Sequence, residues 1–475
     1  MFKRYQNQKP GQSADLPPVE APRPIAAAPV AAKRRVPAAA NGAGDDGGEA
    51  RRHRLLDLRI KIHQRILESL NLAAIETASE GELRQEIATL SREVLGELGV
   101  VVNAQEFEQM VAALVDEVVG LGPLEPLLRD PTVTDILVNT HKQCFVERKG
   151  KLVLTDVQFK DERHLMRVID KIVSAVGRRV DEGQPWVDAR LKDGSRVNAL
   201  VPPCAVDGAL LSIRKFSKSP IGIDKLISFG AFSEEMALFL HAIVSCRLNV
   251  LVSGGTGSGK TTTLNALSSF ISNNERIVTI EDTAELQLQQ VHVGRMERRP
   301  PNIEGKGEIS QRDLLKNALR MRPDRIIVGE VRSGEVLDML QAMNTGHEGS
   351  MTTIHANGPR DSVGRIENMV AMAGVELPIK AVRGQIASAI DVIVQVNRLS
   401  DGSRRMISIM EITGMEGDVV AMQEIFKFER TSVGEDGEVI GEYVATGLRS
   451  HFADRFKQWG VELPKDIFTP KRRTV

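Results

Sequence analysis

A strand-like run, Leu248-Asn249-Val250-Leu251-Val252, leads directly into Gly254-Gly255-Thr256-Gly257-Ser258-Gly259-Lys260-Thr261. This is a complete phosphate-binding loop, and its context demands an open sheet strand before it and a helix after it. The glycines let the backbone curl so that successive N–H groups converge on phosphate oxygens at the positive end of the following helix. Lys260 reaches the β- and γ-phosphates, and the Thr261 hydroxyl takes one Mg2+ position. Thr262 continues into an apolar stripe of Leu264, Leu267, Phe270 and Ile271. Residues 254–262 therefore read as an ATP or GTP site, because a merely structural Gly-rich turn needs neither neighbour.

Nucleotide hydrolysis also needs carboxylates, one for the metal and one for the attacking water. In an open parallel sheet they sit where strands end, beside the phosphate loop. Arg276 to Ile280 is a strand-like run delivering Glu281 and Asp282, and Arg325 to Gly329 is another delivering Glu330. Asp324 precedes its strand and belongs at the opposite edge. Ser350 to Ile354 is a third run, flanked by His347 and His355, and both imidazoles are expected at the phosphate edge, where they would sense the γ-phosphate.

The rest of the chain sets limits. Lys+Arg 62 against Asp+Glu 63 leaves no general excess of positive charge, and aromatic residues make up only 4%. A track for single-stranded nucleic acid uses basic grooves and stacking rings, so no nucleic-acid partner is expected. No run approaches the about 18 apolar residues of a membrane span. Met1 to Pro10 has no apolar core, so no secretory signal is read there. Cys144, Cys204 and Cys246 are far apart and lack metal-ligand spacing. The expectation is a cytoplasmic protein with reduced thiols.

Residues 1–50, rich in Pro and Ala, read as a disordered tail. Residues 51–119 read as helical, with stripes at Leu55, Leu58, Ile62, Ile66 and Leu70, then at Leu83, Ile87, Leu90, Val94 and Leu98. Asn103 with Glu106 forms a capping-box-like start to a third helix. Short β-rich runs around a helix in residues 120–220 suggest a small α/β domain, closed by the linker-like Ser219-Pro220-Ile221-Gly222. Residues 221–475 form the second α/β domain, opening on a helix capped by Ser233.

Several motifs resemble a known family. Glu281-Asp282-Thr283-Ala284-Glu285 is similar to the acidic box of the type II/type IV secretion and pilus ATPases. Ile327 to Arg332 resembles their second nucleotide motif, with a glycine where aspartate is usual, and Thr345 to Ala356 resembles their histidine box. Gly122 to Leu128, Asp135 to Asn139, Asp188 to Leu191 and Asp193 to Ala199 resemble the CpaF branch, which powers tight-adherence (Tad/Flp) pili. The resemblance implies a RecA-like P-loop motor domain and Mg2+-dependent ATP hydrolysis. It also implies a homohexamer at the cytoplasmic face of the inner membrane, held there by pilus platform proteins. By residue, it assigns Lys260 and Thr261 to phosphate and Mg2+, Glu330 to the Mg2+ shell and Glu281 to water activation. His347 and His355 belong to the histidine box, while Arg190 and Arg196, with Arg179, come from the smaller domain to complete the site. A type IV secretion ATPase moving protein or DNA is the alternative, and a nucleic-acid motor is the more distant one.

Overall fold

The computed structural model describes residues 79–470 except 149, 217–219 and 303–304, together with positions 58, 62 and 65 and the backbone of 472–474. The Pro/Ala-rich tail, most of the first apolar stripe and part of the linker-like segment lie outside the described residues. The chain divides into two compact units, residues up to Leu114 and Val115–Val475.

In the first unit, Ser79 caps the helix Glu80–Glu97 through a reciprocal box with Glu82. Leu83, Ile87 and Val94 are buried on it, as their spacing requires, while Leu98 falls beyond its end and is exposed. The next helix, Ala104–Val118, begins at the Asn103–Glu106 box: Glu106 N donates to Asn103 Oδ1 at 2.8 Å, and Asn103 N donates to Glu106 Oε2 at 3.1 Å.

The second unit holds two sheets. The smaller contains β1 (Val133–Thr140), β2 (Gln143–Arg148), β3 (Lys151–Leu154), β4 (Trp186–Arg190), β5 (Arg196–Leu200) and β6 (Leu210–Arg214), in the order β3-β2-β1-β6-β5-β4. Every pair is antiparallel. The amphipathic helix Glu162–Ala175 buries Leu165, Ile169 and Ile172 in the same core as Ile136, Val197 and Ile213.

The larger sheet contains β7 (Val250–Gly254), β8 (Ile277–Glu281), β9 (Val293–Glu297), β10 (Arg325–Val331), β11 (Met351–His355), β12 (Val392–Arg398), β13 (Arg404–Glu416), β14 (Val419–Val433), β15 (Val439–Ala445) and β16 (Arg472–Thr474). Its order is β16-β15-β14-β13-β12-β7-β11-β10-β8-β9. From β12 to β9 the neighbours are parallel, and from β12 to β16 they are antiparallel. All five residues of β7 and of β8 are buried, as expected of parallel strands covered on both faces. This is the α/β core that the phosphate loop requires, RecA-like as the resemblance implies, preceded by a small α/β layer. The helix after the loop, Lys260–Ser268, stops short of Phe270 and Ile271.

Candidate functional site

The phosphate loop leaves the carboxyl end of β7, second of the six parallel strands and near the middle of the ten-stranded sheet. Only glycine fits at 254, because a Cβ there would lie 2.3 Å from the Val396 carbonyl oxygen. Gly257 and Gly259 adopt left-handed φ values of 68° and 94°, which glycine takes without strain. Gly259 is the N-cap of Lys260–Ser268, so the loop ends on a helix N-terminus. Lys260 Nζ donates to the Gly255 carbonyl at 3.0 Å. Burial pushes its ammonium pKa down, Arg332 and Arg214 add to that, and Glu330 opposes it.

Beside β7 stands β11, whose last residue, His355, has Nε2 3.0 Å from Thr256 Oγ1 in the loop. Burial, followed by the Lys260 charge, pushes His355 below its ordinary value. Next is β10 with Glu330, then β8 with Glu281. Strands are about 4.8 Å apart, which puts the Glu330 strand roughly 10 Å from β7 and the Glu281 strand roughly 14 Å.

The two glutamates differ in more than distance. Glu281 is 3% exposed, and its Oε2 accepts from the backbone N–H of Glu285 (2.7 Å) and Leu286 (2.9 Å). Desolvation raises its pKa against those two bonds. It closes the acidic-box turn on itself. Glu330 is half-buried, with Oε2 held by Arg332 at 2.7 Å. The same guanidinium donates to Asp282 Oδ2 at 2.7 Å. Between Val328, paired with Thr352, and Val331, paired with Ile354, β10 has one residue more than β11. That bulge re-aims Glu330 at the strand end, and Thr353 Oγ1 pins it by donating to the Gly329 carbonyl at 2.7 Å. The glycine of the motif also has a local reason: a Cβ at 329 would lie 3.1 Å from Glu281 Cγ.

His347 is not at this edge. It precedes β11, whose five residues span roughly 16 Å, and its carbonyl accepts from Ser350 Oγ at 2.7 Å, near the start of the strand. The expectation that both histidines point to the phosphate edge fails, because residues flanking a short strand lie at its opposite ends. Asp324 does lie at that far edge, accepting from Arg276 N ahead of β8.

Arg190 and Arg196 cross from the small sheet to the acidic box, not to the phosphate loop. Arg190 pairs with Glu297 at 2.9 Å and donates to the Ala284 carbonyl at 2.7 Å. Arg196 pairs with Glu285 and donates to the Thr283 carbonyl, both at 3.0 Å. Arg179 pairs locally with Asp181. The small-sheet arginine whose charge reaches Lys260 is Arg214, at the end of β6, and it has no hydrogen-bond or ion-pair partner among the described residues. No motif marked it, since its position depends on how the two sheets meet.

Among the described residues, no helix is long and apolar enough to cross a membrane. A protein-family model described as Type II/IV secretion system protein matches residues 117–432. A putative conjugal transfer protein of Mycobacterium tuberculosis is 39% identical, over 69% of this chain and 93% of its own length. The conjugal transfer protein TrbB of Rhizobium radiobacter is 32% identical, over 64% and 91%. Among solved structures, the VirB11 ATPase of the Brucella suis type IV secretion system is 29% identical, covering 61% of this chain and 92% of that one, with a TM-score of 0.33. These relatives carry secretion and conjugation names, not tight-adherence pilus names. The chain belongs to the Type II/IV secretion system protein family.

Proposed function

We propose that this chain is the ATP-hydrolysing motor of a secretion or conjugal-transfer machine, working as a homohexamer on the cytoplasmic side of a membrane through membrane-embedded partners. The observation that carries the reading is the row of strand ends: phosphate loop on β7, His355 on β11 and Glu330 on β10, with Glu330 close enough to act on the Lys260 charge. ATP binding draws Lys260 off the Gly255 carbonyl and onto the β- and γ-phosphates. Thr261 and Glu330 would hold Mg2+, which supplies charge to neutralise the phosphate oxygens. Glu330 orients the attacking water and takes its proton. His355 reads the γ-phosphate through Thr256, and Arg214 brings a cation from the small sheet. Glu281 keeps the acidic-box turn in shape, which moves water activation from Glu281, where the resemblance put it, to Glu330.

Purified protein should hydrolyse ATP in a Mg2+-dependent way, and Lys260→Ala should abolish turnover. Normal turnover by that variant would overturn the reading. The second reading, a tight-adherence pilus motor, rests on the small-domain segments Gly122 to Leu128 and Asp193 to Ala199. Disrupting the gene separates the two readings, since loss of protein or DNA transfer favours the first and loss of surface pili the second.

A further inference from the structure

The β12–β13 hairpin carries two arginines that no motif identified. β12 runs beside β7 as far as the Val396–Gly254 pair and then continues to Arg398, past the root of the phosphate loop. Arg398 and Arg404 are directly paired across the hairpin. The turn between them is stiff. Leu399 N donates to the Ser403 carbonyl at 2.8 Å, Asp401 Oδ1 accepts from Ser403 N and Oγ, and Asp401 Oδ2 accepts from Val439 N at 2.9 Å.

Both side chains lie against the loop. Arg404 Nε donates to the Gly257 carbonyl at 2.9 Å, and a Cβ at Gly259 would lie 3.5 Å from Arg404 Cδ. A Cβ at Gly257 would lie 3.7 Å from Arg398 Nη1, while Arg398 Nη2 donates to the Gly150 carbonyl in the β2–β3 turn at 2.6 Å. Like charges directly opposite on paired strands repel. Around the acidic box that problem is solved locally, since Arg190, Arg196, Arg298 and Arg332 each hold a carboxylate. Arg398 and Arg404 meet none among the described residues. Both are exposed, and a polyanion bound in that loop would meet two guanidinium groups at its rim that hold no carboxylate among the described residues.

We propose that Arg398 and Arg404 form a phosphate-facing pair that takes the polyphosphate of the bound nucleotide as its counter-charge, with Arg404 also holding the Gly257 peptide in place. The inference rests on the nucleotide-site reading above. Charge-assisted hydrogen bonds of this kind are worth about ten- to hundredfold in affinity.

The test is calorimetric titration of the full chain with ADP at low and at high salt. Wild type and Lys260→Ala come first: if wild type fails to bind ADP, the nucleotide-site reading itself falls. With wild-type binding established, Arg398→Ala/Arg404→Ala should weaken ADP at low salt by about tenfold or more, and high salt should narrow the gap. Arg398→Lys/Arg404→Lys, which keeps both charges, should recover most of the loss. Unchanged ADP affinity in the alanine variant overturns the pairing. So does a loss that salt does not alter and lysine does not recover, because that pattern belongs to loop packing.

Discussion

The carboxyl ends of β8 and β10 are neighbours in the same sheet, and each presents a glutamate. Glu281 is sealed in and spends one oxygen on two backbone N–H groups, whereas Glu330 is open enough to meet Arg332 and feel Lys260. Position at a strand end does not decide chemistry. Access to solvent separates them: both Glu281 oxygens are buried, Oε2 accepting two amides and Oε1 without a hydrogen-bond partner among the described residues, whereas the Glu330 side chain is 23% exposed.

The sharpest way to break this contrast is Glu330→Gln. An amide cannot accept the proton and is a weaker Mg2+ ligand, so turnover should fall by about 10²–10⁴-fold and more Mg2+ should be needed, while Mg2+-free nucleotide binding at the phosphate loop is largely kept. If Glu281→Gln does this and Glu330→Gln does not, the roles are reversed. Glu281→Ala should act chiefly on stability. It strands the Glu285 and Leu286 amides, costing about 1–3 kcal/mol by denaturant unfolding, while Glu281→Gln, which can still accept, should lose much less. Equal stability for both variants would refute the anchoring role. Arg190→Ala/Arg196→Ala removes the outer clamp on the same turn. Both arginines are about a third exposed, so each ion pair contributes at most about 1 kcal/mol. Turnover should fall more than stability, and near-parental rates would show that the small sheet need not grip the acidic box.

The smallest effect is a pH slope. Burial raises the folded-state pKa of Glu281 above 4.5, so the folded chain binds this proton more tightly than the unfolded chain does. Stability should therefore decline as pH rises from about 4.5 through the raised value. Glu281→Gln should remove that component of the slope; an identical slope in the variant would place the titration elsewhere.

Much of this core was legible because parallel strands leave a strong trace. β7, β8 and β10 are mainly Val, Ile and Leu, β11 is a buried Met-Thr-Thr-Ile run, each ends in distinctive residues, and the phosphate loop sets the edge they share. β3 was not legible, because all four of its residues are exposed and no alternation marks them. β4 is short and half-polar, and β13 to β15 mix buried and exposed positions with several register shifts. In the site, Lys260, Glu330 and His355 were readable from motif and strand end. His347 is not readable in this way, because it adjoins β11 in sequence but lies at the end of the strand opposite His355. Arg214, Arg398 and Arg404 left no signal, since each matters only through a contact made by folding.

The ten-stranded sheet has a mechanical consequence. It runs unbroken from β9 to β16, and β14 alone, with fifteen residues, extends roughly 50 Å. Parting β7 from β12 would break five consecutive ladder pairs, each hydrogen bond worth about 1 kcal/mol. The sheet is therefore a beam. A displacement at the phosphate loop would be carried to the far strands as rotation of a lever, with compliance at the turns, at the register shifts of β13 to β15 and in the small sheet clamped against the acidic box.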